Sequence, residues 1–297
     1  MRKEIEVTIE EKENGLAVKT VLSESVGLSR REISRLKFTN GLLKNNEPCR
    51  VTEPVQTGDV LTLIFPEKDT PHALRLIGKP DILYEDEDLV IVNKPAGMVC
   101  HPSHEHRHDD MGSLLQSYYG DSFTIRAIGR LDMDVSGVMV YAKNQPTAAR
   151  LSRERQQEIL HKQYLAIAEG IFAKKKGTLR YGLERVPGKR DRQISSKGKE
   201  CITDYEVLRE YETCSLLRIS IRTGRTHQIR AGMASVDHPL CGDELYGGHT
   251  DLIDRPALHC ACLDLVSPFS KKPVHVEAPL PDDMERLLQE ETDVGSK

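Results

Sequence analysis

Five short apolar runs constrain this chain most. They are Leu89–Val92, Val138–Ala142, Tyr164–Ala168, Cys214–Ile221 and Leu258–Leu265, and long polar intervals separate them. Runs of four to eight residues rich in β-branched side chains are strand-length. Only Ser113–Tyr119, Pro146–Ile159 and the start at Ile229–Ala234 read as helices between or after them. The expectation is an α+β fold: a mixed, mostly antiparallel sheet with helices packed on it. At 297 residues the chain is long enough for a second unit as well.

That unit reads from about Gly15 to Phe65 as a small α/β module. Leu16–Val26 has helical spacing. Ser29 with Glu32 three positions on forms a capping box ahead of a second helix. Asn40-Gly41 stops that helix, and strands follow at Leu42-Leu43, Val51 and Val60–Phe65. The second helix carries Arg30, Arg31, Arg35 and Lys37 against one acid, which points to a polyanion. We divide the chain into residues 1–65, a linker over 66–80, a larger domain over 81–285, and an acidic tail over 286–297.

The net charge of −4 excludes indiscriminate nucleic-acid binding, yet cations gather again between Lys174 and Lys199, Arg190 and Arg192 included. This stretch suits a hairpin or loop on an RNA backbone. No apolar run is long enough to span a bilayer, and the N-terminus has no signal-peptide core. Seven cysteines without a Cys-x-x-Cys pair speak for a reducing cytoplasm and against a zinc ribbon. The tract His101–Asp110 has no partner cluster with ligand spacing, so no metal is expected.

Chemistry concentrates in Gly129–Gly137, where Asp132 stands between Arg130 and a small-residue turn ahead of a strand. A carboxylate so placed can be a nucleophile, a general base or a magnesium ligand. Asn93-Lys94-Pro95-Ala96-Gly97 ends an earlier strand, and Lys162-Gln163-Tyr164 begins another. Arg222–Arg230 puts three arginines around His227 and Gln228; they need anionic partners.

In this order the segments resemble the RluA family of pseudouridine synthases over nearly the whole chain. The pattern runs Asn-Lys-Pro-x-Gly, Arg-Leu-Asp, Lys-x-Tyr, Thr-Gly-Arg-Thr-His-Gln-Ile-Arg, Gly-Asp-x-x-Tyr, Leu-His and Ala-Pro-Leu-Pro. The first unit resembles the αL-type RNA-binding domain first described in a ribosomal protein. The resemblance implies an RNA-modifying isomerase of ribosomal or, less expectedly, transfer RNA, acting without cofactor or metal as a monomer. It implies Asp132 as nucleophile, Arg225 as its ion-pair partner and Tyr164 against the uracil. Arg130, Leu258, His227, Gln228, Arg230, Asn93 and Lys94 are implied at the substrate, with Arg130 able to fill the stack that the flipped uridine leaves. Two positions depart from the family: Gly129 stands where it has His, and Val135 where it has Thr. Both bear on hydrogen bonding around the loop.

Two other readings compete with this one. Asp132-x-Asp134-Val135 also resembles the loop of Asp-nucleophile magnesium phosphatases, but there an apolar strand precedes the first Asp, and here it follows. A non-catalytic RNA-binding assembly factor would not need Asp132, Tyr164 and an arginine together.

Overall fold

A computed structural model of the chain describes residues 3–65, 78–102, 109–120, 124, 126–156, 160–186, 188 and 191–291. Most of the 66–80 linker, most of the histidine tract, Arg190, and the side chains of Arg31 and Arg35 lie outside the described residues.

The first unit comprises β1 (Lys3–Thr8), α1 (Val18–Glu24), α2 (Arg30–Phe38), β2 (Leu42–Lys44), β3 (Glu47–Pro48) and β4 (Val60–Phe65). Its sheet runs β1-β4-β2-β3, and Ile5, Leu22, Leu36, Leu61 and Leu63 lie in its core. The capping box is formed: the Ser29 N–H donates to Glu32 Oε2 at 2.7 Å and the Glu32 N–H to Ser29 Oγ at 3.3 Å. Val51 sits in a turn rather than a strand, and β1 is an element the apolar runs did not mark.

The larger unit follows as β5 (Ile82–Glu85), β6 (Leu89–Lys94), α3 (Met111–Tyr119), β7 (Ala127–Ile128), β8 (Ser136–Ala142), α4 (Gln145–Gln156) and β9 (His161–Glu169). Next come β10 (Lys176–Arg185), β11 (Arg192–Ile194), β12 (Lys199–Glu210), β13 (Cys214–Ile221), α5 (Gln228–Ala234), β14 (Leu258–Val266), β15 (Pro273–Glu277) and α6 (Asp282–Glu290). The sheet order is β11-β10-β12-β13-β9-β14-β8-β6-β5, with β15 on β14 and β7 on β8. Among the described residues its named strands pair antiparallel, except that β14 and β8 run parallel, with His259 opposite Ser136 and Cys260 opposite Gly137.

β8 is buried along its whole length, as an apolar strand covered on both faces should be. At the parallel junction a Cβ on Gly137 would lie 2.2 Å from the Cys260 carbonyl oxygen, and φ there is +110°. Only glycine lets the two backbones meet here. Ser136 Oγ and His259 Nδ1 close the junction at 2.9 Å.

The cationic stretch is the β10–β11–β12 ribbon, where Lys175, Lys176 and Arg180 face Glu210, Glu206 and Glu200. Residues 286–290, which the sequence groups with an acidic tail, are the second half of α6. Leu287 is buried there because the helix lays its apolar side on Ile167 and Tyr211. Among the described residues no helix is long and apolar enough to cross a membrane.

Candidate active site

The loop before β8 is fastened by its backbone. Gly129 takes φ +78°, a conformation that a histidine would adopt only under strain. The Leu131 N–H donates to Cys100 Sγ at 3.2 Å, and the Val135 N–H donates to the Asp132 carbonyl at 3.2 Å. The Val135 side chain packs in the core, so the loop needs no hydroxyl at that position to close its turn.

Lys94 is completely buried, and its ammonium donates to the carbonyls of Pro95, Met98 and Met133 at 2.7, 2.6 and 3.0 Å. Burial pushes its pKa down to about 8. All three N–H donors are used within the protein, so Lys94 is a buttress of the loop rather than a substrate contact. Asn93 is not among the residues lining the Asp132 cleft, and its amide donates to Asp81 at 3.1 Å.

With its backbone held, the loop presents the Asp132 carboxylate to a cleft of about 960 Å³. Arg130, Tyr164, Leu258, Lys162, Arg225, His227 and Arg230 share its lining. Asp134 opens instead on a neighbouring depression with Arg185 and Arg192. Tyr164 comes from β9 and Leu258 from the start of β14, both buried. Burial, first of all, holds the Tyr164 phenol well above its ordinary pKa, so it remains a neutral group with an aromatic face.

Arg230, not Arg225, meets the carboxylate. Its Nη1 lies 3.8 Å from Asp132 Oδ2, while Arg225 makes no ion pair with Asp132. Arg230 reaches this position because α5 begins at Gln228, which directs the residue two positions on into the protein. A bidentate pair with the wholly buried Asp243, at 2.7 and 2.6 Å, holds it there, and its guanidinium lies over Tyr246. Arg225 is exposed in the loop before the helix, on the cleft wall. Arg222 is taken by Asp204, at 2.8 Å.

His227 caps α5 in the left-handed region, φ 58°, with Nε2 4.0 Å from Asp132 and Nδ1 3.0 Å from the Tyr246 hydroxyl. Burial, outweighing the nearby Asp132, lowers its pKa and keeps the imidazole neutral. Gln228 is spent on the scaffold: its Oε1 accepts from Thr223 Oγ1 and the Arg225 N–H, and its Nε2 donates to Ile202 O and Thr203 Oγ1. Exposed Arg130 donates to Thr226 Oγ1 at 3.4 Å across the cleft. The Arg192 N–H donates to the Tyr246 hydroxyl at 2.7 Å, tying the basic ribbon to this network. Arg30 and Lys37 are exposed on α2, in the other unit.

The sequence marks Asp243 only as part of the Gly-Asp-x-x-Tyr motif and gives Cys100 no role. Burial of a charged Arg230 demands a carboxylate, and the Gly242-Asp243 step was the signal available.

The arrangement offers a polarised carboxylate, an apolar-walled slot with a phenol, and cationic rims. It suits attack on a planar base or its sugar within a polyanion. The comparisons agree. The RNA pseudouridylate synthase family model matches residues 88–235, and the model of the RluD ribosomal pseudouridine synthase N-terminal domain matches residues 5–61. An uncharacterized RNA pseudouridine synthase of Bacillus subtilis, YhcT, is 34% identical over 96% of both chains. The ribosomal large subunit pseudouridine synthase D of Escherichia coli K12 is 31% identical over 97% of this chain and 94% of its own. Among solved structures, human RNA pseudouridylate synthase domain containing 4 superposes with a TM-score of 0.59 at 21% identity. It covers 70% of this chain and 92% of its own, and shares the fold. The chain therefore belongs to the RluA family of RNA pseudouridine synthases, isomerases that convert uridine in RNA to pseudouridine.

Proposed function

We propose that this enzyme isomerises uridines of large-subunit ribosomal RNA, with Asp132 as the nucleophile. The observation that carries the assignment of the nucleophile is the position of its carboxylate: partly exposed in the cleft, 3.8 Å from Arg230 and flanked by Tyr164 and Leu258. The choice of RNA rests on relatives named for the large ribosomal subunit.

Asp132 attacks the ribose C1′ or the uracil ring and the N1–C1′ bond breaks. The base turns within the slot, C5 bonds to C1′, and the bond to Asp132 breaks, which regenerates the free carboxylate. The C5 proton then leaves and N1 ends protonated, so no atom is gained or lost overall. Arg230 holds Asp132 in place as its counter-charge, 3.8 Å away. Tyr164 and Leu258 hold the base between them while it turns. A neutral phenol is a poor proton acceptor, so Tyr164 acts by contact and by its hydroxyl dipole. Arg130, Arg225 and the β10–β11 ribbon take the phosphates, and residues 1–65 dock the RNA through Arg30, Arg31, Arg35 and Lys37. The enzyme works as a monomer in the cytoplasm.

The test is pseudouridine mapping of large-subunit ribosomal RNA from cells with and without the gene. One or more positions should revert to uridine and be restored by the wild-type gene but not by Asp132→Asn. An unchanged ribosomal map with altered transfer RNA would reject the substrate, and full restoration by Asp132→Asn would reject the nucleophile.

A further inference from the structure

On the edge of the large sheet four metal-binding side chains share one face. β14 and β15 pair so that Cys262 stands opposite Glu277 and Asp264 opposite His275. Leu263, Val274 and Val276, which alternate with them along the two strands, are buried on the other face. Cys262 Sγ lies 3.8 Å from Asp264 Oδ2 and 3.8 Å from His275 Nδ1, and Nδ1 is 2.7 Å from Asp264 Oδ1. The ligand atoms of these three residues fall within 4.8 Å of one another.

We propose that Cys262, Asp264 and His275 form a binding site for a divalent transition-metal ion of the zinc type. In a tetrahedral site with metal–sulfur bonds of about 2.3 Å and metal–nitrogen bonds of about 2.0 Å, neighbouring ligand atoms are about 3.5 Å apart. The two sulfur distances are already close to that edge, and only the short Asp264–His275 contact has to lengthen. The remaining histidine nitrogen is placed as such sites require: His275 Nε2 lies 3.3 Å from Glu277 Oε1. A carboxylate behind a ligating imidazole fixes its tautomer and raises its basicity. A histidine merely bridging two carboxylates would have no use for the thiol beside it.

Thiolate and imidazole together select zinc-like ions over magnesium or calcium. Three protein ligands leave one position for water. Binding releases the thiol proton, and the Nδ1 proton where present, to solvent. All seven cysteines are free thiols, so Cys262 is not committed to a disulfide. Asp264 also lines the cleft, which places the ion beside it.

The experiment is a Co²⁺ titration of the reduced, chelator-treated full-length protein, read by absorbance. A thiolate-to-cobalt charge-transfer band should appear together with visible bands of four-coordinate intensity. Zn²⁺ should displace Co²⁺ and Mg²⁺ should not. Cys262→Ser should abolish the charge-transfer band, and His275→Gln, at an exposed position that does not threaten folding, should weaken binding at least tenfold. Glu277→Gln should weaken it by about tenfold to a hundredfold. No band at millimolar Co²⁺ would overturn the proposal. So would a band that survives both Cys262→Ser and His275→Gln, which would place the ion at other cysteines.

Discussion

Two arginines five positions apart divide the work near Asp132. Arg230 is buried between Asp132 and Asp243, and Arg225 is exposed on the cleft wall. Arg230→Ala would leave a buried carboxylate unpaired, at a cost of about 3–5 kcal/mol, and would also release Asp132. We expect a clear fall in the thermal midpoint and near-complete loss of single-turnover rate. Arg225→Ala should keep the midpoint and chiefly raise KM. Equal kinetic losses from both would contradict this division. The choice between the arginines was not legible in the sequence, because both stand in one run. It depends on where α5 begins and on an aspartate thirteen residues further on. Lys94 makes a second prediction. With its pKa near 8, it becomes a neutral amine as pH rises through that value and has one donor too few for three carbonyls. Turnover should therefore fall on the alkaline side with an apparent pKa of about 8. Lys94→Met should be slower at every pH and lack that limb; a limb unchanged in the variant would assign it to another group.

Among the elements, β8 and β14 meet at the most demanding contact. Gly137→Ala places a methyl 2.2 Å from the Cys260 carbonyl oxygen, far inside van der Waals contact, at a positive φ. The pairing has to open, and we expect at least about 3 kcal/mol lost in urea denaturation, with the catalytic loop displaced. A variant of wild-type stability would show that the junction yields easily. What was readable at this scale was local. Ser29 and Glu32 announced the start of α2, and five apolar runs became β6, β8, β9, β13 and β14. What was unreadable was pairing at a distance. β1 alternates charged and apolar residues and exists through β4, more than fifty residues later. The parallel junction of β8 with β14 has no mark in either strand taken alone.

At the scale of the whole molecule, α4 holds the two units together. Arg150 donates to the carbonyls of Val26, Pro268 and Ser25 at 2.6, 2.8 and 2.9 Å, and stacks over Phe269. Arg153 donates to the Ser23 carbonyl at 3.1 Å. These cations satisfy carbonyls where α1 ends, a favourable place for positive charge. Their consequence is metrological. With α2 docking the RNA as proposed, a helix fixed relative to Asp132 would act as a ruler, and only a uridine at the matching span from the docking feature of its RNA would be reached. The gauge is then the arginine clasp rather than the tether. Adding ten Gly/Ser residues within 66–77 should leave the modified positions unchanged, as read by pseudouridine mapping. In the Arg150→Ala, Arg153→Ala background the same insertion should smear modification onto neighbouring uridines. If the insertion alone shifts the sites, the tether sets the scale; if the double variant stays exact, the RNA itself carries the measure.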